Sequence, residues 1–499
     1  MQIINTANLL PHELDSSMSL YVYNGLDVCV TYEVLDVLLP QLTPTTRGTY
    51  EFSKSLQGVI LDANSRGLLV DEERRQETVK AYRESVWRLT DQLNEILLDG
   101  IGVSFPPSKT RKYQFPSDDN LKQLFYEVMN LPPIYKGFGE ERRLTVDRKA
   151  LEKLEHNFYA EPIIGHILLL RDLVKKLSFL DTGVDPDGRL RTSFNIAGTT
   201  TGRLASSFSD WGTGTNLQNV ENKLRAIFIA DRGWKFCNID LEQSDARAVG
   251  AIHWNLFRDP RFLDACESGD LHTTVARSGF PTKPWTGDLT RDRAIANDKF
   301  YRDFSFRDAA KRLGHGTNYQ GQAEKMARET HIKLADVKSF QASYLKQFPA
   351  FPLWWQWVET QVRSHGKITT LLDRERRFFG HPNDPDTIRA AVAYEPQSVT
   401  ADTINRGMLR VWKTKQVQLL LQVHDSILFQ YRQEEEDEIV PAMLRLVEQS
   451  MVLKEGREFV IPAEAKIGWN WSDNKNDPDA LRKFNDSARP TSRTRQPQT

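Results

Sequence analysis

Two aspartates, Asp240 and Asp425, each follow a strand-like apolar segment and are candidates for holding metal ions. Apolar and polar residues alternate before Asp240. Asp425 lies between two apolar runs, 417–423 and 426–431, which predicts a β-hairpin with Asp425 at its turn. Mg²⁺ requires near-octahedral oxygen geometry, which carboxylates on rigid strands at a shared edge can supply. Such a pair could support metal-assisted attack on a nucleoside triphosphate, provided that the fold brings these distant residues together.

A helix predicted from about Ser305 to Tyr319 carries groups that a triphosphate would need. Arg307, Lys311, His315 and Tyr319 recur every four residues and therefore lie along one face of the helix. Cations in the first turns suit the phosphates, and the aromatic ring suits the sugar and base. On spacing alone, a solvated basic face explains this pattern better than a nucleotide site does.

The order of these segments resembles the family A DNA polymerases, the bacterial polymerase I group and its phage relatives, over roughly residues 18–472. The family's metal-bearing segment resembles 239–247, its nucleotide helix resembles 307–319, and its carboxyl-terminal catalytic turn resembles Gln422-Val-His-Asp425. The supporting matches are Thr201-Gly-Arg-Leu204 with Asn216-Leu-Gln-Asn219, Gly269-Asp-Leu-His-Thr273, and Gln397-Ser-Val-Thr-Ala-Asp402. Six matches in the family's order argue against coincidence.

The resemblance implies roles for individual residues. Catalysis would depend on Asp240, Asp425 and Lys311, with Lys311 protonating pyrophosphate. Two Mg²⁺ ions, which Mn²⁺ could replace, would be held by Asp240, Asp425 and the backbone carbonyl of Leu241. The implied nucleotide-binding residues are Gln243, Asp245, His272, Arg307, Lys311, His315 and Tyr319. The implied DNA-binding residues are Arg203, Asn216, Gln218, Arg374, Gln397 and His424.

The resemblance also implies an α+β fold of the right-hand polymerase type, with an antiparallel palm sheet and helical fingers and thumb. The implied divisions are a vestigial carboxyl-terminal piece of an exonuclease-like domain at 1–50, the thumb at 51–187, the first part of the palm at 188–250, the fingers at 251–375, the second part of the palm at 376–472 and a disordered tail at 473–499. Residues 41–50, with Pro44 and several threonines, are predicted to be a linker.

Four positions depart from the family's pattern. Asp245 stands where Glu usually excludes ribose; its side chain is one methylene shorter, so looser discrimination against ribonucleotides is expected. His315 replaces the usual Phe or Tyr beside the sugar, which is either a neutral ring exchange or a change in dideoxynucleotide selection. Ser426 replaces a frequent Glu that we interpret as auxiliary. The loop 373–376 loses a Gly and reverses one positive charge, which puts DNA contact there in doubt.

The segment Tyr23-Asn-Gly-Leu-Asp27 resembles the last motif of the 3′–5′ proofreading nuclease of this family. That nuclease also needs an Asp-x-Glu pair well upstream, and the residues from Met1 onward leave no room for it. One aspartate cannot hold two metal ions, so no proofreading by this chain alone is expected. Residues 1–50 would then be a vestige, or half of a site that a separate chain completes.

Composition indicates an ordinary soluble protein, and 499 residues predict two to four subdomains. The net charge of −1 argues weakly against a wholly basic nucleic-acid binder but allows one basic cleft. Three widely spaced cysteines make no metal-ligand pattern and fit a reducing compartment. There is neither a signal-peptide pattern nor an apolar run long enough for a membrane span, so a cytoplasmic location is expected, in the host if a phage encodes the chain.

The expected partners are primer–template DNA and deoxynucleoside triphosphates, with a separate exonuclease subunit or replisome proteins as further candidates in phage or plasmid replication. A single-subunit RNA polymerase or a reverse-transcribing enzyme would share the palm chemistry, although the Lys311-to-Tyr319 spacing favours the DNA-making group. An inactive DNA-binding relative should have lost Asp240, Lys311 or Asp425. A helical scaffold protein would leave the ordered matches unexplained.

Overall fold

The computed structural model describes residues 15–105, 116–137, 139–209, 212–301 and 304–484. Its α-helices are α1 (Ser16–Leu38), α2 (Pro44–Ser55), α3 (Gln57–Arg66), α4 (Glu72–Ile101), α5 (Asp118–Lys122), α6 (Arg148–Leu154), α7 (Glu161–Leu180), α8 (Ser244–Phe257), α9 (Arg261–Glu267), α10 (Leu271–Gly279), α11 (Leu289–Ala296), α12 (Phe306–Asn318), α13 (Ala323–Thr330), α14 (Leu334–Gln347), α15 (Ala350–His365), α16 (Pro385–Lys413) and α17 (Glu436–Val447).

Most strands are short. They are β1 (Leu68–Val70), β2 (Tyr135–Lys136), β3 (Arg143–Leu144), β4 (Arg189–Leu190), β5 (Ser193–Asn195), β6 (Ala205–Ser207), β7 (Phe228–Ile229), β8 (Trp234–Leu241), β9 (Lys299–Tyr301), β10 (Phe304–Ser305), β11 (Lys367–Thr369), β12 (Glu375–Arg377), β13 (Gln418–Val423), β14 (Ser426–Arg432), β15 (Ser450–Val452), β16 (Glu458–Val460), β17 (Ala463–Gly468) and β18 (Arg482–Lys483). The four longest, β8, β13, β14 and β17, belong to one central sheet.

The central sheet is antiparallel, in the order β13-β14-β8-β17-β18. β13 and β14 form a hairpin whose two-residue turn is His424-Asp425, with a left-handed φ of 56° at His424. In the neighbouring strand β8, Asp240 lies opposite Ser426 on one side and opposite Glu464 on the other. The predicted hairpin is confirmed, and its turn lies beside the carboxyl end of β8.

Apolar residues on the central sheet explain why its strands hold together. Phe236, Ile239 and Leu241 of β8 are buried, as are Ile427 and Phe429 of β14. These side chains belong to a hydrophobic core that the sheet shares with helices α3, α4 and α7. The sheet therefore forms a rigid platform for groups at its edge.

Helix α16 is the longest buried element beside the sheet. It begins at Pro385, whose lack of a backbone N–H costs nothing in the first turn, and the carboxylate of Asp384 accepts hydrogen bonds from the N–H groups of Asp386 and Thr387. The helix packs against α8, α15 and α17. It carries the segment 397–402, which the sequence singles out, into the interior.

A second hydrophobic core lies among helices α8 to α15 and the first turns of α16. It is rich in aromatic side chains, and Phe262, Phe340, Tyr344, Phe351 and Trp354 are almost completely buried there. This core fixes the position of α12 relative to α10 and α14, which contact it. It therefore positions the predicted nucleotide helix.

Residues 44–55 form helix α2, so the linker predicted at 41–50 is wrong over that part of the chain. Pro44 occupies the first turn of the helix, where proline is tolerated, and the hydroxyl of Thr43 accepts a hydrogen bond from the N–H of Thr46. Proline and threonine are common in loops. Here Thr43 caps the helix and Pro44 occupies its first turn, so these residues begin a helix.

Helix α3 lies in the range 51–187, for which the resemblance implies a thumb. It contacts β13 of the central sheet. Its Gly58 lies against the ring of Trp412 in α16, where an added Cβ would come within 3.0 Å of the ring. The indole N–H of Trp412 donates a 3.0 Å hydrogen bond to Asp62. These contacts attach α3 to the central sheet and to α16.

Residues 473–484 are folded onto the sheet, so the disordered tail predicted at 473–499 is wrong over this part, and 485–499 lie outside the described residues. Lys483 in β18 pairs with Lys466 in β17, and Leu481 is buried. The amide of Asn470 donates a 3.0 Å hydrogen bond to Asp477. The polar residues that suggested disorder bond to one another instead.

Helix α1 is exposed along its whole length although much of it is apolar. Leu20, Tyr21, Val28, Tyr32 and Val37 are each more than half exposed. A helix that carries apolar side chains on every face is normally buried. No helix within the described ranges is long and apolar enough to cross a membrane.

Candidate active site

Asp240 and Asp425 lie together at one end of the central sheet. The backbone N–H of Leu241 donates a 3.1 Å hydrogen bond to the carbonyl of Asp425, and the hydroxyl of Ser244 donates one of 3.1 Å to its Oδ2. Asp240 lies opposite Ser426, the residue after Asp425, and both aspartates line the same cavity. The structure therefore unites the two residues that the sequence predicted as metal ligands.

Burial raises the pKa of Asp240 to about 7, and the neighbouring Asp425 adds to the rise, whereas the positive charge of Lys466 opposes it. Two crowded carboxylates in a partly buried site are unfavourable without a cation between them. Carboxylate oxygens are the ligands that Mg²⁺ prefers, so the donor set fits the predicted ions. No group of three or more His, Cys, Asp or Glu side chains clusters within the described residues, so backbone, water or substrate oxygens would have to complete the coordination.

A cavity of about 700 Å³ opens beside the two carboxylates. Its walls include six of the seven predicted nucleotide-binding residues, namely Gln243, Asp245, His272, Lys311, His315 and Tyr319. Arg307 is absent from the lining. The cavity therefore collects the predicted metal ligands and most of the predicted nucleotide ligands around one space.

The exposed face of α12 supplies one wall of this cavity. Its helix starts with a reciprocal cap between Ser305 and Asp308 and buries a face that includes Leu313. That packing leaves Lys311 and His315 exposed. The helix predicted from Ser305 is confirmed, and its Lys311 and His315 line the cavity.

Tyr319 closes the end of this wall. Its ring meets the ring of His315 edge-to-face, with 5.2 Å between the centroids. Its hydroxyl is buried, and no described residue hydrogen-bonds to it. The backbone of Gln243 adopts a left-handed φ of 53° just before α8, and its buried Oε1 likewise has no partner among the described residues. Such atoms are what a polar ligand would satisfy.

Arg307 is held by Asp270 and does not point freely into the cavity. Its Nη2 lies 3.1 Å from Oδ1 of Asp270, which also caps α10 by accepting a hydrogen bond from the N–H of Thr273. Burial lowers the pKa of His272 to about 4, and the charges of Arg307 and Lys311 contribute. His272 is therefore neutral near pH 7. The positive charges that act on it are those of Arg307 and Lys311.

Asp245 lies in the first turn of α8 and is held from two sides. The hydroxyl of Thr400 donates a 2.8 Å hydrogen bond to its Oδ1, and Nη2 of Arg203 lies 3.7 Å from the same oxygen. The Nε of Arg203 is buried without a partner in the described part of the chain. The predicted sugar gate and a predicted DNA ligand are therefore in contact.

Asn216 and Gln218 link neighbouring segments of the protein through hydrogen bonds. Oδ1 of Asn216 accepts hydrogen bonds from the hydroxyl of Ser206 and from the N–H of Gln218. Nε2 of Gln218 donates to the carbonyl of Leu204 and to Gln422, at 3.1 Å each. Each of these side-chain amides already makes hydrogen bonds within the protein. Direct DNA contact by either residue stays a prediction.

Arg374, which the resemblance implies as a DNA-binding residue in a loop where that contact is in doubt, forms a largely buried ion pair. Its Nη2 is 2.7 Å from Oδ1 of Asp402 in α16. The guanidinium also covers Gly202, which has a left-handed φ of 83° and where an added Cβ would lie 2.8 Å from Cζ of Arg374. This glycine therefore allows the close approach, and Arg374 braces the segment that carries Arg203.

Gln397 and His424 each keep part of the side chain accessible. Gln397 is half-buried on α16, and His424 is exposed at the hairpin turn next to Asp425. The carbonyl of His424 accepts a hydrogen bond from the side chain of Gln422, which stabilises the turn. Their placement is compatible with the predicted DNA contacts, which stay predictions.

Several residues that shape the site were missed from the sequence. Ser244 and Thr400 lie inside matching segments and could have been found there as short polar side chains. Asp270 also lies in a matching segment, but its pairing with Arg307 has no local signal. Lys466 has no sequence signal, because only strand pairing brings β17 beside Asp240.

Comparisons with known proteins agree with the geometry. The sequence model described as DNA polymerase family A matches residues 105–473. The thermostable DNA polymerase I of Thermus filiformis is 27% identical over 386 residues, which are 73% of this chain and 42% of that protein. The DNA polymerase I of Synechocystis sp. is 25% identical over 495 residues, which are 91% of this chain and 45% of that protein. The chain thus spans less than half the length of these curated relatives.

A solved structure shares the architecture. The POL domain of Pol1 from M. smegmatis, in complex with DNA primer-template and dNTP, matches with a TM-score of 0.65 and 21% sequence identity. The match covers 84% of this chain and 69% of that chain. The expected α+β fold of the right-hand polymerase type is therefore confirmed.

Proposed function

Because the chain belongs to DNA polymerase family A, we propose that it is a template-directed DNA polymerase that adds deoxynucleotides to a primer 3′-hydroxyl. The observation that carries this proposal is that Asp240 and Asp425 line the same cavity as Lys311. A carboxylate at the end of a strand, a second in the neighbouring hairpin turn and a cation on a helix that lines the same cavity match the demands of phosphoryl transfer. Phage or plasmid replication is the setting that we propose for this activity.

Asp240 and Asp425 would hold the metal ions, with the backbone carbonyl of Leu241 as a further proposed ligand. Two Mg²⁺ ions, or Mn²⁺ in their place, would supply activation of the 3′-hydroxyl and stabilisation of the charge on the triphosphate. The protein's own contribution is rigidity, because Asp240 lies on β8 and Asp425 lies in the tight turn of the hairpin that pairs with β8. Ser244 and the N–H of Leu241 hold Asp425 in place.

Lys311 is the proposed proton donor to the pyrophosphate that leaves. Its side chain is exposed on α12 and lines the cavity, and no carboxylate within the described ranges pairs with it. An ammonium without a partner is available to a phosphate. His272 and Arg307 would bind the same triphosphate, and Arg307 would have to share or release Asp270 to do so.

The remaining roles concern the base pair and the DNA. Tyr319 would close the pocket over the nascent base pair, since its ring ends the cavity wall. Arg203, Gln397 and His424 would hold the primer or template near the reacting end. Cationic contacts to phosphates make such binding sensitive to salt.

We also propose that α1 binds a separate protein, an exonuclease subunit or another replisome component. The exposed apolar side chains of α1 support this, because helices of that composition are usually covered. Asp27, Glu33 and Asp36 are its charged residues, so a partner with a basic rim around an apolar groove would complement it.

Primer extension on a DNA template tests the proposed activity. Wild type should extend the primer with deoxynucleotides and Mg²⁺, Asp425→Ala should be nearly inactive, and Lys311→Ala should lose about 100-fold to 10,000-fold in rate, the usual range for a general acid. Asp91→Ala, an exposed change on α4, is the matched control. An Asp425→Ala variant as active as this control would overturn the proposal. Ribonucleotides and an RNA template, used in parallel, separate the RNA-polymerase and reverse-transcription alternatives.

A further inference from the structure

Thr400 and Arg203 contact the same oxygen of Asp245. The Thr400 hydroxyl donates to Oδ1 at 2.8 Å, and Nη2 of Arg203 lies 3.7 Å from it. Thr400 is only 1% exposed, on a helix whose packing fixes its position. Three segments that are far apart in sequence therefore meet at one carboxylate oxygen.

The second oxygen of Asp245 is left for a ligand. In the described ranges no hydrogen bond falls on Oδ2, and Asp245 lines the cavity together with His315 and Tyr319. An aspartate has two side-chain torsions, and a carboxylate that accepts one fixed hydrogen bond loses much of that freedom. The hydrogen bond from Thr400 therefore restricts the orientation of the Asp245 carboxylate.

Three buried polar atoms without partners belong to residues that contact Asp245 or line the cavity with it. They are Nε of Arg203, the hydroxyl of Tyr319 and Oε1 of Gln243, each without a hydrogen bond to any described residue. Buried polar groups are rarely left unpaired in folded proteins. Gln243 and Tyr319 line the same cavity as Asp245, so a polar ligand there, such as the sugar of a nucleotide, would lie beside all three residues.

We propose that Thr400 is a positioning residue for sugar selection: its hydroxyl holds Asp245 so that Oδ2 faces the sugar of the incoming nucleotide. This inference rests on the proposed polymerase function and on the place of Asp245 in the nucleotide cavity. Without the hydroxyl, Asp245 is free to rotate towards Arg203, which is near enough to form a closer ion pair with either oxygen. The carboxylate then withdraws from the sugar, and ribonucleotides are accepted more readily.

The test compares kcat/KM for a deoxynucleotide and for the matching ribonucleotide on one primer–template. Thr400→Val keeps the shape of the side chain and removes the hydroxyl, so the deoxy-to-ribo ratio should fall about tenfold, which is the effect of one hydrogen bond to a charged group. Thr400→Ser restores the hydroxyl and should restore the ratio. Thr403→Val is the matched control, because Thr403 is similarly buried on the same helix and its hydroxyl donates to the backbone carbonyl of Val399.

A double-mutant cycle shows whether Thr400 acts through Asp245. In an Asp245→Ala background, Thr400→Val should change the ratio no further. An unchanged ratio in Thr400→Val, or an equal change with and without Asp245, would overturn the inference. If Thr400→Val does not fold, as judged by its thermal transition, Thr400→Ala and Thr400→Ser are compared in its place. A wild type that fails to extend any primer refutes the proposed function itself, which is a different outcome.

Discussion

Arg374 and Asp402 form an ion pair that joins the β11–β12 turn to α16, with Nη2 2.7 Å from Oδ1 and Nε 3.0 Å from Oδ2. The side chain of Asp402 is 3% exposed. Removing the partner of a buried charge typically costs about 3 to 5 kcal/mol. We therefore expect Arg374→Ala to lower the free energy of unfolding in urea by that amount, whereas Arg377→Ala, an exposed neighbour, changes it by less than about 0.5 kcal/mol.

The same variant decides whether Arg374 also contacts DNA. A side chain that neutralises one phosphate adds about 1 to the slope of log affinity against log salt concentration. We expect the slope for primer–template binding to be the same in wild type and Arg374→Ala, because the guanidinium is already committed to Asp402. A slope reduced by about 1 would instead place Arg374 on the DNA backbone.

His253 should make the protein less stable in acid. It is completely buried, with its ring 4.6 Å from that of Phe351, and no described residue hydrogen-bonds to either ring nitrogen. Burial lowers its pKa from 6.5 to about 3. Between these values the unfolded chain binds the extra proton, so stability is lost as pH falls below 6.5.

Urea denaturation at pH 7 and pH 5 measures this effect. From the lowered pKa, the loss that His253 causes between the two pH values is about 2 kcal/mol. His253→Phe should remove that part of the pH dependence, whereas His156→Phe, on the surface, should leave it unchanged. Equal pH dependence in the wild type and His253→Phe would show that this imidazole is not buried as described.

The parts of the site that sequence reasoning found are those with a local pattern. Alternation marks β8 up to Asp240, and two apolar runs mark the hairpin around Asp425. A four-residue spacing marks the face of α12 that carries Lys311. Each pattern reflects the geometry of a single helix, strand or hairpin, so it is visible within about twenty consecutive residues.

The parts that were missed depend on contacts between elements. The bond from Thr400 to Asp245 and the pairing of Arg374 with Asp402 join segments that no periodicity connects. Pro44 suggests a turn in the sequence, and only its place in the first turn of α2 shows that it begins a helix. Polar residues near Asp477 suggested disorder because their mutual hydrogen bonds cannot be read from composition.

Asp245→Glu should raise discrimination against ribonucleotides above that of the wild type. The longer side chain carries the carboxylate further into the cavity, towards the space beside Tyr319 and His315. The ratio of deoxynucleotide to ribonucleotide incorporation on one template measures the change, with Asp91→Glu as an exposed control. Equal ratios in the wild type and Asp245→Glu would refute the idea that the missing methylene loosens the gate.

Charged substitutions on α1 should be tolerated by the isolated protein. Leu26 is 45% exposed and Val30 is 54% exposed, so Leu26→Glu and Val30→Glu should each change the free energy of unfolding by less than about 0.5 kcal/mol. Leu93→Ala, in the core, should cost about 2 to 5 kcal/mol in the same assay. A loss above about 1 kcal/mol from the α1 changes, together with a dimeric mass in light scattering, would mean that a second copy already covers this helix.

Excision of a mismatched primer end should be absent from this chain alone. Asp27 stands on the exposed face of α1, and the other acidic side chains of that helix, Glu33 and Asp36, lie more than one turn away. One carboxylate cannot hold the two ions that nuclease chemistry requires. A 5′-labelled mismatched primer, incubated with Mg²⁺ and no nucleotides, should therefore keep its length with wild type and with Asp27→Ala alike. Mg²⁺-dependent shortening that Asp27→Ala abolishes would show that a complete nuclease site forms around this helix.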